Sequence, residues 1–305
     1  MSSYPTWLWI PIVFAAAAAQ TVRNAAQKNL TKTAGTLAAT SVRFIYGLPF
    51  AIAALIVCAS LPGATLPQPN MTFIAWTFLA ALGQLVATAL LLAGMQQRSF
   101  IVAVAYSKTE VLQVAIFSVL LLGEGVGGSS ALAIVIASIG VLLLSIKRSV
   151  VASSGLGSWL SSSARLGLAS GAGFAISAVG YRGGALALGA HSPWLAGAYT
   201  LVWAQALQSI LIGGYLARRQ PEALRMIVRE WRVSLMAGCA GALASFGWFT
   251  AFAMRNAADV RTLALVEVLY GYFVSQKIFR ERMTMQETLG ILFLIIGIVI
   301  ISSRL

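Results

Sequence analysis

Glu110 and Glu267 are the residues from which chemistry is expected. They lie 157 residues apart, each inside a long apolar run and each heading a Glu-Val-Leu triplet. A charge at bilayer depth costs at least about 2.5 kcal/mol on insertion scales. A carboxylate there can carry a proton, take up a substrate amine, or serve as structural partner to a buried cation or backbone group. Lys108 stands two residues before Glu110 and points to nearly the opposite side of a helix, so those two do not pair simply. Its partner is expected to be Glu267 or a substrate carboxylate, and a functional and a structural role stand side by side.

Four arginines raise the same question. Arg23 shares a face with Gln20, Asn24 and Gln27 at helical spacing. That face either lines a polar pathway or lets Arg23 snorkel to the cytoplasmic interface one turn away. Arg43, beside Phe44, reads as a shallow interfacial or structural residue. Arg182, next to Tyr181, binds a carboxylate or reaches the outer interface. Arg261, with Asp259 two residues before it, reads as a local surface pair. Gln84 and Thr88, Tyr106 and Gln113, Tyr199 and Trp203, Trp248, and Tyr270 lie at usable depth, as site lining or as packing and interfacial belt.

Other chemistries lack raw material. His191 is the single histidine, and Cys58 and Cys239 sit far apart in apolar stretches, so no metal site and no disulfide are expected. There is no HExxH motif, no paired aspartate and no phosphate-binding loop, so an intramembrane enzyme and ATP coupling are not expected. No catalytic residue or cofactor is assigned. The pairs Gly167/Gly171 and Gly180/Gly184 read as close helix packing. A sensor or scaffold would be expected to carry a sizeable soluble domain, which these 305 residues do not show.

The elements that hold these side chains follow from composition. The chain is 59% apolar or aromatic and 10% charged, with mean hydropathy +0.86, whereas a soluble domain is about a quarter charged. Ten spans are predicted at approximately 6–27, 37–60, 72–96, 100–122, 130–147, 165–187, 194–217, 233–253, 260–278 and 286–303. The first is read as a transmembrane helix and not a signal peptide, because Met1 to Thr6 carries no Lys or Arg. Of the basic residues outside the spans, fourteen fall on the odd-numbered connections and two, Arg255 and Arg304, on the other side. The odd connections are therefore expected in the cytoplasm and both termini outside, in a multi-pass protein of the cell (inner) membrane. The net charge of +13 is read as this topological signal and not as nucleic-acid binding.

A shift of 157 residues without a gap lays the third to fifth spans on the eighth to tenth. Arg98 meets Arg255, Glu110-Val111-Leu112 meets Glu267-Val268-Leu269, Glu124 meets Glu281, and Ile139-Gly140 meets Ile296-Gly297. The expected organisation is a five-helix repeat over 1–150, a Ser/Gly-rich linker over 151–164, and a second repeat over 165–305. Five is odd, so the second repeat enters the membrane inverted. Inverted repeats are a transporter architecture, with the substrate near the midplane between halves that rock around it.

Each half thus carries a mid-span Glu, a Glu at the helix boundary (after Leu121-Leu122-Gly123, and after Arg280), and a helix with a late glycine. With Arg43-Phe44 in the second span, this pattern resembles the drug/metabolite transporter superfamily in its ten-helix EamA-like branch. Many members place Pro directly after the mid-span Glu, where Val111 and Val268 stand here, so no proline kink is carried over. The resemblance implies an all-α polytopic protein of two inverted five-helix bundles around a central cavity. The first four helices of each half would line it, and the fifth and tenth would pack at the periphery. It also implies export or exchange of small metabolites, amino acids among them. Arg23, Arg43, Lys108 and Arg182 against Glu110 and Glu267 leave the spans positively biased. A small zwitterionic or carboxylate substrate is therefore expected, with protons as coupling ion, a functional monomer, and a lipophilic-cation exporter as the alternative.

Overall fold

A computed structural model describes residues 4–96, 106–145, 162–190, 192–270 and 284–303. Among them there is no strand. The helices are α1 (Trp9–Ala34), α2 (Thr36–Ile45), α3 (Leu48–Ala59), α4 (Met71–Gln96), α5 (Glu110–Leu122), α6 (Gly128–Ser145), α7 (Ser162–Leu188), α8 (Pro193–Arg219), α9 (Pro221–Arg229), α10 (Trp231–Met254), α11 (Ala257–Leu263) and α12 (Met285–Ser302). Five stretches are long and apolar enough to cross a membrane, and α5 and α6 are shorter apolar helices. Large side chains such as Ile56, Leu120 and Ile210 are more than three-fifths exposed, as suits a protein whose solvent is lipid. The fold is an all-α polytopic membrane protein. The fourth and ninth predicted spans and the 151–164 linker run partly through residues outside the described ones.

Local sequence accounts for where helices stop. Gly35, at φ 79°, ends α1, a backbone conformation that favours glycine. Gly123, at φ 66°, ends α5 in the left-handed conformation, its N–H donating to the Val119 carbonyl and that of Glu124 to the Ser118 carbonyl. The second predicted span is two helices, divided at Tyr46-Gly47. Pro49 begins α3 where its missing N–H costs no bond. Thr284 and Glu287 cap α12 reciprocally. Helix α9 is an element that long apolar runs do not reveal: nine residues, with Leu224, Ile227 and Val228 on one side. The Tyr46 hydroxyl and the Ser234 hydroxyl both donate to its Ile227 carbonyl, at 3.2 and 2.8 Å.

The chain forms two compact units, and each draws on both halves of the sequence. The first, Met1–Trp7 with Gly83–Val179 and Asn256–Leu305, contains both mid-span glutamates and is called the glutamate unit. The second, Leu8–Leu82 with Gly180–Arg255, contains Arg23, Arg43 and Arg182 and is called the arginine unit.

Small residues set the packing inside each, because helices in lipid associate through close contact and not through apolar desolvation. In the glutamate unit α6 crosses α12 at glycines. A Cβ on Gly140 would lie 2.7 Å from the Gly290 carbonyl oxygen and the Leu294 nitrogen. One on Gly297 would lie 2.9 Å from the Ala133 oxygen and 2.7 Å from the Ala137 Cβ. The contact is reciprocal under the 157-residue shift, which carries Ala133, Ala137 and Gly140 onto Gly290, Leu294 and Gly297. In the arginine unit a Cβ on Gly180 would lie 2.9 Å from the Ala80 Cβ and one on Gly247 2.8 Å from the Ala16 Cβ, so glycine lets α7 close on α4 and α10 on α1.

Candidate functional site

Both glutamates stand where a helix restarts, not in the middle of a continuous one. In the first half the chain turns at Lys108 and Thr109, with the Thr109 N–H and hydroxyl both donating to the Tyr106 carbonyl, at 3.2 and 2.6 Å. Helix α5 then begins at Glu110. In the second half the turn is at Ala264 and Leu265. The N–H groups of Leu265, Glu267 and Val268 each donate three residues back, to Thr262, Ala264 and Leu265. Both breaks form without proline, and both place a carboxylate in the first turn of a helical segment. The helix dipole favours negative charge there. Gly171 lets α7 approach the first break: a Cβ there would lie 3.0 Å from the Ser107 oxygen and 3.3 Å from the Glu110 nitrogen.

The counter-charges come from the opposite half. Lys108 Nζ donates to Glu267 Oε1 at 2.5 Å, the partner expected of it. Arg261 Nη2 donates to Glu110 Oε1. This corrects the reading of Arg261 as half of a surface pair with Asp259, because Asp259 is buried (2% exposed), its N–H bonded to the capping Asn256 side chain. Glu110 also lies within electrostatic reach of Lys108 and Glu267. The four side chains thus form one cluster of net charge zero in the glutamate unit. Sequence reasoning missed Arg261; its only signal was a cation at the edge of an apolar span. Gln113 braces the first break, donating to Thr109 Oγ1 at 2.9 Å and to the Leu168 carbonyl at 3.4 Å. Gln84 and Tyr270 are half-buried in the same unit.

In the arginine unit the polar face of α1 is divided: Arg23 is buried, Gln20 and Gln27 are half-buried, and Asn24 is exposed. Arg23 is 7% exposed and bonds Asn24 Oδ1 through Nη2 at 2.8 Å and Nε at 3.3 Å. Gln27 donates to the Ala39 carbonyl at 2.8 Å, and Gln20 accepts from Trp248 Nε1 at 3.1 Å. Arg43 is half-buried. Its Nε and Nη2 are buried and, among the described residues, have no hydrogen-bond partner, while its guanidinium carbon sits 4.4 Å over the Phe44 ring centroid. Both arginines lean on Gly241 of α10, where a Cβ would lie 3.1 Å from Arg43 Cβ and 3.2 Å from Arg23 Cδ.

Arg182 resolves differently. Its Nη1 donates to the Phe252 carbonyl at 2.7 Å and the Ala253 carbonyl at 3.3 Å. It therefore caps the last turn of α10, where a cation complements the dipole. Trp203 is 39% exposed and packs edge-on against Phe73, with ring centroids 6.1 Å apart and Tyr199 alongside. Trp248 is buried and held by Gln20.

Two comparisons bear on this arrangement. The model of the EamA-like transporter family matches residues 7–146. A solved crystal structure described only as that of a protein covers 96% of this chain and 94% of its own at a TM-score of 0.69. At 15% identity it supports the fold alone. No curated protein matches the chain. Broken apolar helices with paired charges at the breaks, on an all-helical membrane fold, accord with the family match. Over residues 7–146 the chain is similar to the EamA-like transporter family, part of the drug/metabolite transporter superfamily.

Proposed function

We propose that the protein is a secondary transporter of the cell membrane that exports or exchanges small zwitterionic or carboxylate metabolites, such as amino acids, by alternating access. The observation that carries this reading is the crossed pair of ion pairs. Each of two discontinuous helices carries a glutamate in the first turn after its break, and each glutamate takes its cation from the other sequence repeat. Discontinuous helices at charged sites are the usual setting for substrate and coupling ions in inverted-repeat transporters. A carboxylate that exchanges Lys108 or Arg261 for a proton releases one repeat from the other. That exchange is the proposed coupling step. The inverted repeat, with boundaries 1–150 and 165–305, is part of the proposal, and the reciprocal α6/α12 crossing supports it. The protein acts as a monomer. A lipophilic-cation exporter fits less well, since such a substrate would have to displace Lys108 or Arg261 from the glutamates.

The test is flux of radiolabelled amino acids and small carboxylates into proteoliposomes, with and without a pH gradient. The wild-type protein is expected to move at least one of them, with a rate that depends on the gradient. Glu110→Gln and Glu267→Gln are expected to abolish flux or remove its pH dependence. Unchanged flux and pH dependence in both variants would remove the glutamates from the mechanism.

A further inference from the structure

We propose that the end of α8 holds an anionic phospholipid, its acyl chain in a groove along the helix and its phosphate on Arg218 and Arg219. The groove has a volume of about 700 Å³. Among the described residues it is lined by α8 itself, from Ile210 and Leu211 past Gly214 and Tyr215 to the two arginines. All six of these residues are exposed, and all belong to the arginine unit. A Cβ on Gly214 would meet no atom within 4 Å, so the missing side chain leaves open space in the groove.

Along α8 these residues follow the order of parts in a phospholipid. Ile210 and Leu211 offer apolar surface, Tyr215 one turn on offers a hydroxyl, and Arg218 and Arg219 offer two guanidinium groups. Depth agrees with this order. The helix has 27 residues and is about 40 Å long at its rise per residue, whereas the hydrocarbon core is about 30 Å thick. Its last turn therefore reaches the layer where phosphates lie, with Tyr215 at the interface that favours tyrosine. Guanidinium groups bind phosphate oxygens through paired, charge-assisted hydrogen bonds. Glu222, the carboxylate nearest in sequence, pairs with Arg225.

The groove follows the exposed side of a stretch long and apolar enough to span the membrane, so its occupant comes from the bilayer and not from water. Arginines at a helix end also complement the dipole and set topology. Neither of those roles depends on the open space at Gly214, and a lipid site does.

The experiment is native mass spectrometry of the purified, detergent-solubilised protein. It is mixed with equimolar dioleoyl phosphatidylglycerol and dioleoyl phosphatidylcholine, which share their chains and differ in net charge. The wild-type protein is expected to retain the anionic lipid in preference. The double variant Arg218→Gln with Arg219→Gln is expected to bind it about tenfold or more weakly, as two cations are lost at an anionic headgroup. Gly214→Leu keeps every charge and introduces a better helix former, and it is expected to weaken binding by filling the groove. Arg225→Gln, at an exposed arginine outside the groove, is expected to bind as the wild type does. Glycerophosphoglycerol, the headgroup without chains, and inorganic phosphate are expected not to displace the lipid.

Equal retention of the two lipids, or displacement by the chainless headgroup or by phosphate, would overturn the assignment. So would unchanged binding in the double variant or in Gly214→Leu, or a loss in Arg225→Gln as large as in the double variant. The comparison of the two lipids needs no variant, so a misfolded substitution does not block the decision.

Discussion

Lys108–Glu267 and Arg261–Glu110 differ in burial, and the difference predicts unequal weights. Side-chain exposure is 28% and 14% in the first pair, and 17% and 8% in the second. Water shares the load more fully at Lys108. Removing one partner of a buried pair costs about 3–5 kcal/mol, while apolar replacement of both is near neutral. Arg261→Ala is therefore expected to lower the unfolding temperature more than Lys108→Ala does. The double replacement Glu110→Leu with Arg261→Met should recover most of that stability without recovering flux. Thermal unfolding and liposome flux on the same preparations check this, and recovered flux would make the pair purely structural. Arg182 is predicted to behave in the opposite way. Arg182→Gln should cost about 1 kcal/mol, the value of a hydrogen bond to a helix-end carbonyl, and leave KM for the substrate unchanged. A raised KM would return Arg182 to the substrate site.

At the scale of elements, the two helix breaks and the α6/α12 crossing carry the architecture. The breaks do not depend on proline; each is a turn stabilised by bonds three residues back, and each places a carboxylate in the first turn that follows. The crossing depends on glycine at two positions related by the repeat. A Val side chain at either would overlap backbone atoms of the facing helix, which no rotamer relieves. Gly140→Val and Gly297→Val are each expected to destabilise by about 1–3 kcal/mol, and by similar amounts. A large effect at one position with none at the other would argue against a symmetric contact. Thermal unfolding in detergent reads both.

For the whole molecule, orientation rests on charge counting, fourteen basic residues against two, and on α9 as the basic element after the seventh predicted span. Arg225 is exposed at that helix. In a chain with Cys58 and Cys239 replaced by Ser, Arg225→Cys is expected to react with a membrane-impermeant thiol reagent only after cells are permeabilised. Labelling of intact cells would invert the topology.

Membrane residence, the 157-residue recurrence and the family resemblance were all legible in the chain, because hydropathy and repetition are properties of its linear order. Lys108 could be assigned Glu267 as one of two partners, because an unpaired cation in lipid demands an anion and few exist. The rest needed three dimensions. Glu110 and Arg261 lie 151 residues apart with no spacing to link them, and the nearer Asp259 drew the pairing away. For Arg23 and Arg43, depth along a span says nothing about which neighbour covers a side chain. Gly241, on a third helix, decides that they meet. Arg182 could equally have been a ligand until the end of α10 came to rest against it. Linear order determined which charges fall within apolar runs; packing decided which of them pair with each other, as Glu110 does with Arg261, and which rest on a helix end, as Arg182 does.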